Sequence, residues 1–194
     1  YFGRGYGYTY NNVKSTSIDE IGGAKKIYIF GANLNYDNSL VNHEIFSAKA
    51  KNNIEVVLVT ESDNTKIAYK CDKVIRVKSY LAFVKAMNKV IIDNDLQNSF
   101  YINGHIEGFD EYKKEISALN LEELAKNSGL SIEDVTNFAK DFNNQQNVIS
   151  IFQEKEISSN TSIELLNLNI LCGKLGKTSS GLIPLKELCN SQGL

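Results

Sequence analysis

The sequence predicts an α/β fold in which a mainly parallel, Rossmann-like layered sheet is flanked by helices and carries a helical insert. An apolar run at 26–30 stops at Gly31 and small polar residues before a helical pattern begins at Leu40. The nearly unbroken apolar run at 54–59 suits a parallel strand covered on both faces. Beyond residue 79 the hydrophobic period changes to 3.6. Because ligands of such sheets lie beyond the carboxyl ends of the strands, residues 31–35 are expected to border any small-molecule site.

Length and charge narrow the class of protein. A chain of 194 residues can bury a sizeable core without disulfides or metals. The net charge is −2, and neither sign forms a long block, which argues against a nucleic-acid partner. No apolar run reaches the roughly 18 residues of a membrane span, so direct membrane insertion is not expected. The chain begins with Tyr1 rather than Met, which suggests an excised or processed piece.

We divide the chain into an irregular lead-in at 1–22, rich in aromatic residues and glycine, and an α/β domain at 23–194. The apolar stripe of the first helix is Leu40, Val41, Ile45 and Ala48, and the helix is expected to end near residues 52–53. The next strand at 54–59, a short helix at 65–69 and a strand at 73–77 complete a βαβαβ unit.

A helical insert at about 79–145 follows this unit. Four helices are expected in it, the last of them starting at Ser131 with Asp134 at the spacing of an N-terminal cap. A strand at 147–152 and a buried helix at 161–172, which is apolar almost all round, come next. We interpret residues 173–186 as a glycine-punctuated loop.

Candidate catalytic and metal-binding residues are few. Cys71, Cys172 and Cys189 are widely spaced and only His43 and His105 could assist them, so neither a zinc nor an iron–sulfur site is expected. Reduced thiols in a cytosolic protein are the preferred interpretation.

A segment at 173–178 contains Gly-Lys-Thr, but the spacing of a P-loop fails and the segment follows a helix rather than a strand. No Ser or Cys lies at a spacing that marks an activated nucleophile. We therefore assign no catalytic residue and no metal ligand.

Several segments resemble the molybdopterin oxidoreductase superfamily, over about residue 15 to the end. The most specific are 171–176, 181–185 and 190–193, which read LCGKLG, GLIPL and NSQG. Within the superfamily, this ending is most similar to the large iron–sulfur subunit of bacterial NADH-quinone oxidoreductase (respiratory complex I), or to a hydrogenase-linked relative. The resemblance implies the residues that would border a pterin site: Gly31, Asn33, Glu61, Gly176, Gly181, Asn190 and Gln192.

The sequence departs from cofactor-binding members at three loops. Residues 60–62 read TES where those members usually have Asp-Pro-Arg, and residues 77–80 read VKSY in place of Pro-Gly-Thr-Asp. The glycine-rich turn expected after the fourth strand is replaced by 153–156, QEKE, which would bring carboxylates near a pyrophosphate. The resemblance therefore implies a retained fold with a vestigial, empty pterin site.

Three hypotheses of function follow. The first is a scaffolding domain of an electron-transfer subunit of the complex I type, inactive by itself, whose parent carries iron–sulfur clusters and oxidises NADH with quinone. The second is a fragment of an active oxidoreductase that binds molybdopterin guanine dinucleotide, such as a formate dehydrogenase. The third is a nucleotide-binding module. Under the first, the partners are the remainder of the parent chain and other subunits of a respiratory or hydrogenase-type complex, at the cytoplasmic face of the inner membrane.

Overall fold

The computed structural model describes residues 16–31, 33–63 and 65–186. The strands are β1 (Lys26–Phe30), β2 (Glu55–Thr60), β3 (Lys73–Arg76), β4 (Val148–Gln153) and β5 (Gly181–Leu185). The α-helices are α1 (Leu34–Asp37), α2 (Ser39–Asn52), α3 (Tyr80–Asp93), α4 (Ser99–His105), α5 (Phe109–Ser117), α6 (Leu121–Ser128), α7 (Ile132–Asn144) and α8 (Ser159–Leu171). Short 3-10 helices span Ile18–Gly23 and Ala68–Lys70.

All five strands are parallel and lie in the order β3-β2-β1-β4-β5. The prediction of an α/β fold with a parallel sheet is confirmed. β1 lies at the centre, where Tyr28 pairs with Val57 on one side and with Ser150 on the other. All five residues of β1 are buried, as expected for a strand covered on both faces.

The two faces of the sheet bury separate apolar clusters. Tyr28 and Phe30 of β1 belong to a large cluster with α3, α7 and α8. Ile27 and Ile29 point to the opposite face and belong to a cluster with α2. Helices α3 to α7 occupy the region of the predicted insert, and α3 packs against α5, α6, α7 and α8. α3 is therefore the central helix of the helical layer.

Several local predictions are wrong. Leu40, expected in the buried stripe of α2, is 68% exposed, whereas Val41, Ile45 and Ala48 are buried. Residues 173–186, interpreted as a loop, contain β5, in which Pro184 pairs with Phe152. Proline cannot donate to a sheet ladder and is confined mainly to edge strands, and β5 is an edge strand. The sequence pattern also misses α4, since it places His105 in a polar turn.

Part of the predicted organisation lies outside the described residues. Residues 1–15 of the lead-in, and Cys189, Asn190 and Gln192 of the tail, fall there. Residues 18–23 at the end of the lead-in form a 3-10 helix, and the Ser17 side chain accepts from the backbone N–H of Asp19. Among the helices that the structure describes, none is long and apolar enough to cross a membrane.

Candidate functional site

The topology of the sheet locates the candidate site between β1 and β4. The chain runs outward from β1 through α2 to β2, and outward in the opposite direction from β4 through α8 to β5. The strand order therefore reverses between β1 and β4, and a crevice opens there at the carboxyl ends of the strands. It is bordered by the loop that begins at Gly31 and by the turn at 154–156.

The carboxylate of Glu156 lies against the loop that follows β1. The backbone N–H of Asn33 donates to Glu156 Oε1 at 2.9 Å. A Cβ on Gly31 would collide with Glu156 Oε2 and lie 3.2 Å from Gln153 Oε1, so the close approach requires glycine. Gly31 also has a φ of +133°, a conformation that other residues rarely adopt. A negative group of the chain itself thus sits where a bound anion would meet this loop.

The turn that carries Glu156 is fixed by backbone hydrogen bonds. The N–H of Glu154 donates to the carbonyl of Leu185 in β5 at 2.9 Å. The N–H of Glu156 donates to the carbonyl of Gln153 at 3.1 Å. The turn is therefore tied to the edge strand, and Glu156 is oriented back towards β1.

Gln153, the last residue of β4, is buried beside this turn with its amide unsatisfied. It is 2% exposed, and within the described part of the chain neither Oε1 nor Nε2 has a hydrogen-bond partner. Buried amide groups in proteins are nearly always paired, so this amide is available to hydrogen-bond a bound group. Gln153 lines a cavity of about 110 Å³, together with Asp37, Asn38, Glu154, Lys155, Leu185 and Lys186.

The charges around this cavity are mixed. Lys155 forms an ion pair with Asp37 at 3.6 Å. Burial lowers the pKa of the Lys186 ammonium, although the charge of Glu154 opposes this effect. Two lysines and two carboxylates therefore line the cavity, which has no strong preference for an anion.

The second loop of the crevice is also occupied by a carboxylate of the chain. Glu61 Oε1 accepts from the backbone N–H of Tyr80 at 2.6 Å, at the first turn of α3. The N–H of Glu61 donates to the Tyr80 hydroxyl at 3.1 Å. A carboxylate at this position satisfies a free N–H and interacts favourably with the helix dipole. Glu61 thus acts as a cap of α3, and burial raises the pKa of the Tyr80 hydroxyl to which it is joined.

The residues assigned to the pterin site from the resemblance are not all brought together. Gly31, Asn33 and Glu61 lie at the carboxyl edge of the sheet. Gly181 begins β5 and pairs with Ile149 near the start of β4, so it lies at the amino edge. Gly176, in the connection from α8 to β5, precedes it at the same edge. Asn190 and Gln192 lie outside the described residues.

The described residues do not fit the pyrophosphate of a pterin dinucleotide at this crevice. Glu156 faces the loop after β1, and Glu61 in the loop after β2 adds a second carboxylate at the same edge of the sheet. A carboxylate about 4 Å from a phosphate repels it by roughly 4 kcal/mol at an effective dielectric of 20. Metal ligands do not gather either: the described ranges hold no group of three or more His, Cys, Asp or Glu side chains suited to a metal ion.

Sequence reasoning identifies the acidic turn but not the residues in it that matter. It expects the carboxylates of 153–156 near a pyrophosphate without separating them, whereas Glu156 is the residue that reaches the loop after β1. It places Gln153 in this turn and gives it no role, whereas Gln153 is the buried last residue of β4. Both residues lie at or just after the end of β4, where the strand order reverses, and this position is the signal that could have identified them.

Comparison with known proteins gives the chain a family context. No family model matches. The chain is 25% identical over 189 residues to formate dehydrogenase H of Escherichia coli, covering 94% of this chain and 26% of that protein. It is 24% identical over 185 residues to F420-dependent formate dehydrogenase 2 subunit alpha of Methanococcus maripaludis, covering 92% and 27%. The chain is similar to molybdopterin oxidoreductases.

Two further comparisons agree with this likeness. The chain is 24% identical over 190 residues to NADPH-Fe(3+) oxidoreductase subunit alpha of Geobacter sulfurreducens, covering 93% of this chain and 22% of that protein. The structure of acetylene hydratase from Pelobacter acetylenicus superposes with a TM-score of 0.68 at 17% identity, over 88% of this chain and 24% of that one, which shows a shared fold. The chain spans about a quarter of the length of the curated relatives it matches. None of these relatives is a subunit of complex I, so the superfamily resemblance is supported and the finer one is not.

Proposed function

We propose that the chain is the α/β domain of an oxidoreductase subunit related to the formate dehydrogenases, and that it serves there as a scaffold. The observation that carries this proposal is the similarity to formate dehydrogenase H along 94% of the chain. Two of the relatives are named as alpha subunits, which supports an assembly with other subunits. The parent activity would then be the oxidation of a small substrate such as formate, with electrons leaving through cofactors.

The scaffolding role rests on the geometry of the two loops. Glu156 faces the loop after β1, and Glu61 caps the helix after β3. A dinucleotide cofactor in the parent would need its phosphates held by residues outside this chain. Within the domain, the sheet and the helical layer around α3 would supply a rigid surface on which the remainder of the parent folds and other subunits assemble.

A second candidate is a subunit of the complex I type, in which the pterin site is vestigial throughout the parent. The occupation of both loops by carboxylates favours it, because no compensating basic group is needed if no phosphate ever binds. The same observation disfavours a plain nucleotide-binding module. That module predicts a rise in melting temperature with guanine or adenine nucleotides, which the scaffold does not.

Elemental and pterin analysis of the full-length parent separates these candidates. A formate dehydrogenase-type parent is expected to contain molybdenum, iron and an extractable fluorescent pterin, and to reduce a dye with formate. The 194-residue chain is expected to contain none of them. A parent with iron but without molybdenum and pterin would replace the first candidate by the second. Stoichiometric pterin on the 194-residue chain would overturn the scaffolding role.

A further inference from the structure

We propose that Glu156 is an internal substitute for a phosphate group: its carboxylate closes a latent phosphate site formed by Gly31, Asn33 and Gln153, and its removal opens that site. This inference goes beyond the proposed role of the domain. It concerns the crevice alone and stands whether or not the full-length protein contains molybdenum.

The first step is the fit of the carboxylate to the loop. Glu156 Oε1 accepts from the N–H of Asn33 at 2.9 Å, while Oε2 lies so close to Gly31 that a Cβ on that residue would collide with it. Both oxygens of the carboxylate therefore lie against the loop. Oε1 accepts a backbone hydrogen bond, and Oε2 occupies space that is open only because residue 31 has no side chain. This is the manner in which backbone loops hold phosphate oxygens.

The second step is the unsatisfied amide beside it. Gln153 Oε1 lies 3.2 Å from the same ideal Cβ position on Gly31, so the amide and the carboxylate converge on one point. The buried Nε2 of Gln153 has no hydrogen-bond partner among the described residues. A tetrahedral group in place of the planar carboxylate has more oxygens, and one of them could accept from Nε2 once the Gln153 amide is turned by about 180° to present its nitrogen, rather than Oε1, to the loop. A phosphate would thus satisfy a donor that Glu156 leaves unpaired.

The third step is the reason why the Glu156 carboxylate stays in the phosphate site. Glu156 is attached to a short turn whose position is set by the bond from the N–H of Glu154 to the carbonyl of Leu185. The carboxylate is consequently held at the loop by the chain, and a dissolved phosphate must displace a group whose effective concentration is high and whose charge repels it. The wild-type chain should therefore exclude phosphate-bearing ligands from this crevice.

The test compares pyrophosphate binding by three forms of the 194-residue chain, using calorimetry and the backbone amide resonances of Gly31 and Asn33. Glu156→Ala removes the carboxylate, and Glu154→Gln removes one negative charge from the same turn without removing Glu156. We expect Glu156→Ala to bind pyrophosphate on the order of a hundredfold more tightly than wild type, with shifts at both amides. Glu154→Gln should stay within about threefold of wild type, since only the general charge changes.

Two further variants keep the test decisive. Glu156→Gln removes the charge but retains the shape of the side chain, so it serves if the turn loses its structure in Glu156→Ala. It is expected to show the same amide shifts with a smaller gain in affinity for pyrophosphate. Glu156→Ala combined with Gln153→Leu should lose most of the gain. A folded Glu156→Ala or Glu156→Gln variant without pyrophosphate binding would overturn the proposal, as would wild-type binding of equal affinity. An equal gain in Glu154→Gln would also overturn it, because the effect would then be one of net charge.

Discussion

Replacing Asp141 by alanine should destabilise the fold, because this carboxylate joins α7 to the amino end of β1. Asp141 Oδ2 accepts from Lys26 Nζ at 2.6 Å and from the Tyr28 hydroxyl at 2.8 Å. Lys26 is 5% exposed and Tyr28 is 1% exposed, so two buried donors lose a partner. Lys26 keeps a second partner, since Glu55 Oε1 lies 2.9 Å from its ammonium.

The magnitude follows from these contacts. A hydrogen bond to a charged group contributes about 1.5–3 kcal/mol, so two such bonds would contribute about 3–6 kcal/mol. The Asp141 side chain is 37% exposed, so solvent screens the pair and water can replace part of the interaction. We therefore expect Asp141→Ala to lower the free energy of unfolding by about 2–3 kcal/mol at pH 7.

Urea denaturation followed by circular dichroism measures this difference. The matched control is Glu133→Ala, which removes an exposed carboxylate from the first turn of the same helix and should cost at most a few tenths of a kcal/mol. A loss below about 0.5 kcal/mol for Asp141→Ala would refute the reasoning, since the buried ammonium and hydroxyl would then need no partner.

The pH dependence gives an independent check. Burial acts to raise the pKa of Asp141, but the hydrogen bonds from Lys26 and Tyr28 and the charge of Lys26 outweigh it and hold the pKa below its ordinary value. The unfolded chain therefore takes up this proton first as the pH falls. The stability from Asp141 is complete above about pH 4 and is lost as the pH falls through the folded pKa. The difference between wild type and Asp141→Ala should shrink below pH 4, and a difference that grows in acid would contradict this assignment.

Three further predictions test the core, the thiols and the cap of α3. Leu166→Ala should cost about 2–5 kcal/mol as a cavity, because Leu166 is fully buried, and an unchanged urea midpoint would mean that α8 is not part of the core. Burial raises the pKa of the Cys71 thiol to about 11 and that of Cys172 to about 12, so both should react with iodoacetamide far more slowly in the native than in the unfolded chain at pH 8; equal rates would contradict their burial. After unfolding without reductant both should label fully, and two missing labels would indicate a disulfide. Glu61→Ala should cost about 1 kcal/mol by leaving the N–H of Tyr80 without its acceptor, whereas Glu61→Gln, which keeps an oxygen, should recover part of it.

The sequence predicts most accurately the helices and strands that bury at least one whole face. β1, β2 and β4 are each predicted within about one residue, because strands covered on both sides are apolar along most of their length. α3 and α7 are predicted from their periodic apolar faces, and the Ser131 side chain does accept from the N–H of Asp134 at 3.0 Å. These patterns depend on residues that are close together in the chain, so they can be recognised from the sequence alone.

Edge elements and surface apolar residues are not predictable in the same way. The pattern misses β5 because Gly181 and Pro184 both oppose strand formation, and only its place at the edge of the sheet makes Pro184 acceptable. Leu40 fits the helical stripe, but at the start of α2 it is exposed, and only Val41, Ile45 and Ala48 of that stripe are buried. In both cases the outcome depends on which neighbours the tertiary structure provides.

The sequence by itself determined the class of fold and the presence of an acidic turn after β4, since both follow from the order of apolar and polar residues along the chain. Only the tertiary structure decided which carboxylate meets which loop. Glu156 and Asn33 are separated by 123 positions, and Glu61 and Tyr80 by 19. Their contacts arise because parallel strands bring their carboxyl ends to one edge of the sheet, and the direction of each side chain there is set by the backbone of its turn.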